Sequence, residues 1–190
     1  MSLSPQQQRQ QARQARRAII GERREQYSQQ AATHLAQSAF MQHAEHIAVF
    51  LSLPEEINTK PLIEMLWQQG KALYLPYVIA KDCPLLWLPY TAQTLLVPDN
   101  LGILAPLYDS KALCAPTHQL DVVVMPLVAW DLKGSRLGMG GGYYDRTLAE
   151  QSALLRVGFS YQCQMQTHIV REDWDLPLHH LATEQQCYSF

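Results

Sequence analysis

At 190 residues with 47% hydrophobic side chains, the chain can bury one sizeable core, and two full domains would be cramped. A formal net charge of −2 supplies no global attraction to nucleic acid or an anionic membrane, so any electrostatic function must come from local clustering. Cys83, Cys114, Cys163 and Cys187 lie far apart and never fall in a metal-ligand spacing, which points to reduced thiols. The polar N-terminus lacks the apolar stretch of a secretory signal, and the apolar run from Val122 to Trp130, broken by Pro126, is too short to span a bilayer. The expected compartment is the cytoplasm.

From Pro5 to about Ile20 the residues are mostly Gln, Arg and Ala, which predicts a helix with Arg9, Arg13, Arg16 and Arg17 on one face. Gly21 breaks or bends it, and a second helix is expected to run to about Gln42 on an apolar stripe of Ala32, Leu35, Ala36, Ala39 and Phe40. His46 to Ser52 reads as a buried strand. Asn58 or Thr59 can cap the next helix, which has Pro61 in its first turn, buries Leu62, Ile63, Leu66 and Trp67, and ends at Gly70. Ala72 to Leu75 is the following strand, closed by Pro76. Together these form a βαβ unit with parallel strands and a right-handed crossover.

Between about Ile79 and Pro116 prolines interrupt short apolar runs such as LLWLPY, and only short strands or ordered loops are expected. Asp121 to Met125 is the clearest strand, leading into a glycine-rich loop, RLGMGGGYYD, and a helix from Tyr143 to about Gln151. Leu155 to Ser160 is a further strand, and Gln186 to Phe190 an edge strand. The alternation predicts a single three-layer, Rossmann-like α/β domain over residues 1–190, with a largely parallel sheet and an N-terminal helical extension. In such sheets ligands sit at the carboxyl ends of strands near a switch in strand order, so the loops after Ser52 and Met125 are the candidate walls of a site.

Gly138, Gly140, Gly141 and Gly142 fall within five positions, a density that costs conformational entropy on folding. One reason for it is close backbone approach to an anion, since successive N–H groups and a following helix N-terminus make a phosphate cradle. Arg136 can pair with phosphate, and Asp145 can hold a hydrated magnesium ion. The other reading is a tight turn before a helix. The spacing matches neither a dinucleotide fingerprint nor a Walker A loop.

The stretch VMPLVAWDLKGSRLGMGGGYYDRTL, Val124 to Leu148, resembles the signature of the 5-formyltetrahydrofolate cyclo-ligase family, also called 5,10-methenyltetrahydrofolate synthetases. FLSLPEEINTKPLI, LGILAP, WDLPL and the basic first helix extend the likeness over almost the whole chain. The resemblance implies conversion of 5-formyltetrahydrofolate and ATP, with Mg2+, into 5,10-methenyltetrahydrofolate, ADP and phosphate. It also implies an ATP site at Arg9, Arg136, Leu137, Gly138, Met139, Gly140, Gly141, Gly142, Tyr143 and Tyr144. The implied folate contacts are Leu51, Glu56 and Met139 to Tyr143, the metal ligand is Asp145, and Arg136 and Tyr143 are the catalytic pair. A monomer that engages neither nucleic acid nor membrane is expected.

Two positions depart from the family pattern: Pro5 stands where a second basic residue is usual, and His179 where many members carry an acid. Blander readings sit beside these. Arg16, Arg17, Arg23 and Arg24 are expected at the surface, Tyr144 reads equally as core, and Glu56 as a helix N-terminal acid. The pairs His43/His46 and His179/His180 read as structural or exposed rather than metal-binding. A sugar-phosphate enzyme of similar layers, or an RNA-binding protein using the arginine helix, are the alternative functions.

Overall fold

The computed structural model describes residues 3–108 and 114–190. In chain order the elements are α1 (Pro5–Arg17), α2 (Gly21–Ala36), α3 (Ala39–His43), β1 (His46–Ala48), α4 (Lys60–Gln68), β2 (Ala72–Tyr77), β3 (Leu86–Tyr90), β4 (Leu96–Pro98) and β5 (Leu104–Pro106). They continue with β6 (Val122–Met125), β7 (Ala129–Trp130), β8 (Arg136–Leu137), α5 (Tyr143–Leu148), β9 (Leu155–Phe159), β10 (His180–Ala182) and β11 (Cys187–Ser189).

Among the described residues the main sheet has seven strands in the order β11-β10-β9-β6-β1-β2-β3. The five inner strands are mutually parallel, and β3 and β11 close the edges antiparallel. The expected parallel βαβ unit is β1-α4-β2, with His46 opposite Ala72. Every residue of β6 is buried, which suits a β-branched run covered on both faces. On one face Ala31, Ala32 and Leu35 of α2 and Leu62, Ile63 and Leu66 of α4 meet Ile47, Val122 and Val124. The opposite face is covered by Trp87, Trp130, Leu148 of α5 and Leu178. The helix α1 packs Ala12 against Val128, Ala129 and Leu137, outside these two layers.

The boundaries differ from the sequence expectations where local chemistry intervenes. Ser4 and Gln7 form a reciprocal capping box that starts α1, with Pro5 just inside. The second helix does not run through to Gln42. Ser38 turns its hydroxyl onto Leu35 O at 2.7 Å, competing with the helical ladder, so α2 stops at Ala36 and Ala39 is exposed. The first strand ends at Ala48 rather than Ser52, because the chain there leaves its partner β6 and enters the loop that builds the site. Pro76 lies inside β2, opposite Trp87. Beyond Tyr74 that strand has no β1 partner, so a missing N–H is tolerated there. The closing helix α5 ends at Leu148 instead of Gln151. The strand pair β7–β8 and the strand β10 were not anticipated, whereas β11 is the expected edge strand. No helix among the described residues is long and apolar enough to cross a membrane.

The turn between β7 and β8 delivers Arg136. Asp131 Oδ1 accepts from Lys133 N at 2.9 Å and Ser135 N at 3.0 Å, while Oδ2 accepts from Ile169 N at 2.9 Å. Gly134 holds φ +74°, and a Cβ there would meet Leu178 O at 2.8 Å. Gly134→Ala is therefore expected to cost about 2 kcal/mol or more, from backbone strain plus steric conflict, measured as a lower urea midpoint at unchanged m-value.

Candidate functional site

The chain order places β2 on one side of β1 and β6 on the other, so the switch in strand order lies between β1 and β6. At the carboxyl ends of these strands is a narrow crevice walled by Phe50, Glu56 and Ile57 from one loop and Pro126 and Leu127 from the other. These are the two loops that the sequence pattern nominated. Arg16, Phe159 and Gln164 complete the walls. A roomier cleft of about 540 Å³ opens at the amino ends of β6 and β9, but it contains none of the predicted site residues. Its Asp121 accepts from Glu45 N and His46 N, which is a structural pin.

Glu56 is only 5% exposed. Its Oε2 accepts from Leu53 N at 2.9 Å, and its backbone carbonyl accepts from Arg24 Nε at 3.2 Å. The helix-cap reading fails, since α4 begins at Lys60 and the carboxylate turns back to Leu53 instead. Burial pushes the carboxyl pKa up, opposed by the Leu53 N–H and by the Arg16 charge. Leu51, half-buried, lies in the same loop and packs against the core of the α2 and α4 face.

The arginines of α1 are not a solvated stripe. Arg9 Nε donates to Gly138 O at 2.8 Å, tying the first helix to the glycine loop. Arg13 Nε is buried without a partner. The expectation that Arg16 is a surface residue is wrong: it is 1% exposed, because Glu55 holds its Nη2 at 2.5 Å and draws it under the loop. Arg17, at the surface as expected, takes the other Glu55 oxygen at 2.6 Å. Arg24 is half-buried through its contact with Glu56, and Arg23 is exposed.

Arg136, buried at the end of β8, donates from Nη1 to Leu176 O and from Nη2 to Asp145 Oδ1 at 2.7 Å. That same oxygen accepts from Leu176 N at 3.1 Å. The two charged residues of the loop thus hold each other and the WDLPL segment. Between them the chain needs glycine twice, with φ +101° at Gly140 and +63° at Gly142. Among the described residues, none of the backbone N–H groups from 138 to 142 finds an acceptor in the chain. The carbonyls behave differently: Arg146 Nη1 donates to Gly142 O at 2.6 Å, while its Nη2 reaches Asp82 at 3.1 Å. With six residues, α5 is short, so unpaired N–H groups rather than a helix dipole are the loop's means of attracting an anion. Met139 is exposed, and Tyr143 is half-buried beneath the Arg146 guanidinium, 5.7 Å above its ring.

The structure supports the core reading of Tyr144, which is partly buried and packed against the apolar cluster. Its ring packs in the core beside Trp87. Its hydroxyl pKa is raised first by burial and then by the charge of Glu56, with Arg136 pulling the other way. A single phenol therefore senses the carboxylate of one loop and the guanidinium of the other.

Sequence reasoning missed Arg156, a lone arginine inside the apolar strand β9. It is 9% exposed, with Nε donating to Pro177 O at 2.8 Å. Burial lowers its pKa, the like charge of Arg136 lowers it further, and Asp145 opposes. His179 accepts the Arg156 backbone N–H on Nδ1 at 3.0 Å, and burial with the Arg156 charge lowers its pKa. It is a structural partner, as are His180, stacked on Phe40 at 4.0 Å, and His46, bonded to the Tyr74 hydroxyl at 2.9 Å. Among the described residues no group of three or more His, Cys, Asp or Glu is arranged to hold a metal.

The raised Glu56 pKa gives a signed expectation. Above the ordinary carboxylate value of 4.5 the native state retains a proton that the unfolded chain releases, so this group's contribution falls as pH rises through the native pKa. The melting temperature of wild type relative to Glu56→Gln should therefore decline across that window. A pH-independent difference between the two denaturation series would contradict this assignment.

Comparison with known proteins agrees with the topology. The sequence profile described as the 5-formyltetrahydrofolate cyclo-ligase family matches residues 2–184. The chain is 40% identical over 181 residues to the 5-formyltetrahydrofolate cyclo-ligase of Escherichia coli strain K12, covering 94% of this chain and 99% of that one. It is also 40% identical over 158 residues to the protein of that name from Haemophilus influenzae, covering 76% and 83%. The solved structure of Aquifex aeolicus 5,10-methenyltetrahydrofolate synthetase superposes with a TM-score of 0.84 at 26% identity, covering 98% of this chain and 93% of that one. The chain belongs to the 5-formyltetrahydrofolate cyclo-ligase family.

Proposed function

We propose that this chain converts 5-formyltetrahydrofolate and ATP into 5,10-methenyltetrahydrofolate, ADP and phosphate in a reaction that requires Mg2+. The observation that carries the reading is the glycine loop, whose backbone N–H groups from 138 to 142 have no acceptor among the described residues while Arg9 ties the loop to the first helix. The buried Glu56 carboxylate supports the folate side of the reading, from the loop after β1 at the switch point of the sheet.

A formamide carbonyl is a weak electrophile with a poor leaving oxygen. In the proposed reaction the formyl oxygen takes the γ-phosphoryl group and ADP departs. The neighbouring folate nitrogen adds to the activated carbon, and phosphate leaves with the former formyl oxygen. The chain's share is positioning and charge neutralisation. Arg136 neutralises phosphate charge at the loop entrance, Arg9 holds the loop from the first helix, and the free N–H groups of residues 138–142 donate to phosphate oxygens. Glu56 accepts from N–H groups of the pterin. Met139 and Tyr143 sit where both substrates pass, with Leu51 on the folate side.

Magnesium retains waters and binds through one or two carboxylates plus phosphate oxygens. Asp145 at the end of the loop fits such a site, on exchanging its bridge to Arg136. The bound ion would supply charge neutralisation between the phosphates. The same assignment leaves His179 no metal role.

The test is growth of methenyl-folate absorbance that requires 5-formyltetrahydrofolate, ATP and Mg2+ together, and its absence from folded protein refutes the proposal. Arg136→Ala should raise the KM for ATP by about 10- to 100-fold, with a smaller effect on folate. In Glu56→Gln the folate KM should rise by a similar factor while the ATP KM holds; the reverse pattern would exchange the two subsites.

A further inference from the structure

Arg16 has more hydrogen-bonding capacity than the chain uses. A guanidinium stays charged and presents five N–H donors, yet Glu55 engages only Nη2, and both Nε and Nη1 are buried without a hydrogen-bond partner. The nearest carboxylate oxygen to Nη1, Glu56 Oε1, is 3.8 Å away, beyond hydrogen-bond range. Buried unpaired donors are costly and rare in native chains, and they call for an explanation. These donors belong to a residue that lines the crevice at the carboxyl ends of β1 and β6 alongside Glu56. A side chain 1% exposed cannot turn to solvent for relief.

The pair therefore presents an acceptor, the Glu56 carboxylate, next to free donors from Arg16. A ligand edge complementary to it carries a carbonyl oxygen beside two N–H groups. On the folate reading above, the pterin has that edge: the 4-oxo group, the ring N3–H and the 2-amino group in sequence. We propose that Arg16 is a specificity-determining residue of the substrate crevice, donating to the ring carbonyl while Glu56 accepts from the two adjacent N–H groups. The short bridge to Glu55, itself anchored by Arg17, fixes the guanidinium for that contact. Gln164 cannot substitute, since its amide is spent on Leu127 O, Val128 O and Tyr161 N.

The experiment compares 5-formyltetrahydrofolate with its 4-amino analogue, in which the carbonyl acceptor becomes a donor and N3 loses its proton, so that the Arg16 and Glu56 contacts both change and the Arg16 variants separate them. Wild type should prefer the 4-oxo substrate by about 100-fold or more in kcat/KM, because a site that hydrogen-bonds one group rejects an analogue that leaves its buried partner unpaired. Arg16→Met should raise the KM for 5-formyltetrahydrofolate, leave the KM for ATP within about twofold, and narrow the 4-oxo preference at least about tenfold. Should that variant not fold, Arg16→Lys keeps the charge against Glu55 without the planar fork and should narrow the preference as well. A wild type indifferent to the 4-amino change overturns the assignment, as does a folded variant that loses both substrates equally or an Arg16→Lys protein with undiminished preference. Failure of wild type to form methenyl product at all refutes the function; turnover without discrimination refutes the pairing of Arg16 and Glu56 with this edge, and undiminished preference in a folded Arg16 variant refutes Arg16 alone.

Discussion

Ionised groups buried at the carboxyl edge of a parallel sheet must be compensated by one another, and that requirement organises this protein. Arg16, Arg136 and Arg156 are each less than a tenth exposed, and Glu56 is equally enclosed. Removing such charges from water costs several kcal/mol apiece unless they are paired and hydrogen-bonded. The fold meets that demand by bringing α1, the loop after β1, the glycine loop and the segment before β10 to one place. Asp145 and Leu176 O share Arg136, Pro177 O and His179 receive Arg156, and Glu55 takes Arg16. The apolar core fixes the strands, and the charge pairs fix the loops between them.

The consequence for chemistry is a site poised between two kinds of group. On the glycine-loop side the free donors are backbone N–H groups, which suit phosphate oxygens and impose no side chain to reorganise. On the β1 side the groups are a carboxylate and a guanidinium, suited to the patterned edge of a heterocycle. Tyr144 follows the glycine loop and packs against Trp87, and burial raises its hydroxyl pKa. The Arg136–Asp145 bridge leaves each of these charges satisfied by the other within the chain.

The sheet was legible in the sequence because parallel strands covered on both faces leave apolar, β-branched runs such as that at Val122 to Met125, and because Pro61 and Gly70 punctuate the intervening helix. The glycine loop was equally visible, its composition being difficult to justify by folding alone. The fate of the arginines was not legible. Helical spacing shows that Arg9, Arg13 and Arg16 share a face, but burial is decided by Glu55 and Gly138, which lie far along the chain. Arg156 was hidden for the opposite reason, as a single charge in an apolar strand whose partners Pro177 and His179 belong to another segment. The pair β7–β8 and the strand β10 also lacked a signal, since two- and three-residue strands are too short for periodicity to register.

Two contacts of the first helix reach residues far along the chain. Gln8 bonds His168 O across 160 positions, and Arg9 bonds Gly138 O across 129. Closing loops of that size carries an entropic cost that must be met before the contacts return anything. During synthesis α1 precedes every strand, so its cationic face has no seat until the sheet has assembled behind it. The site is therefore completed only when nearly the whole chain is available, so an interrupted polypeptide can hold much of the core and still lack a functional crevice.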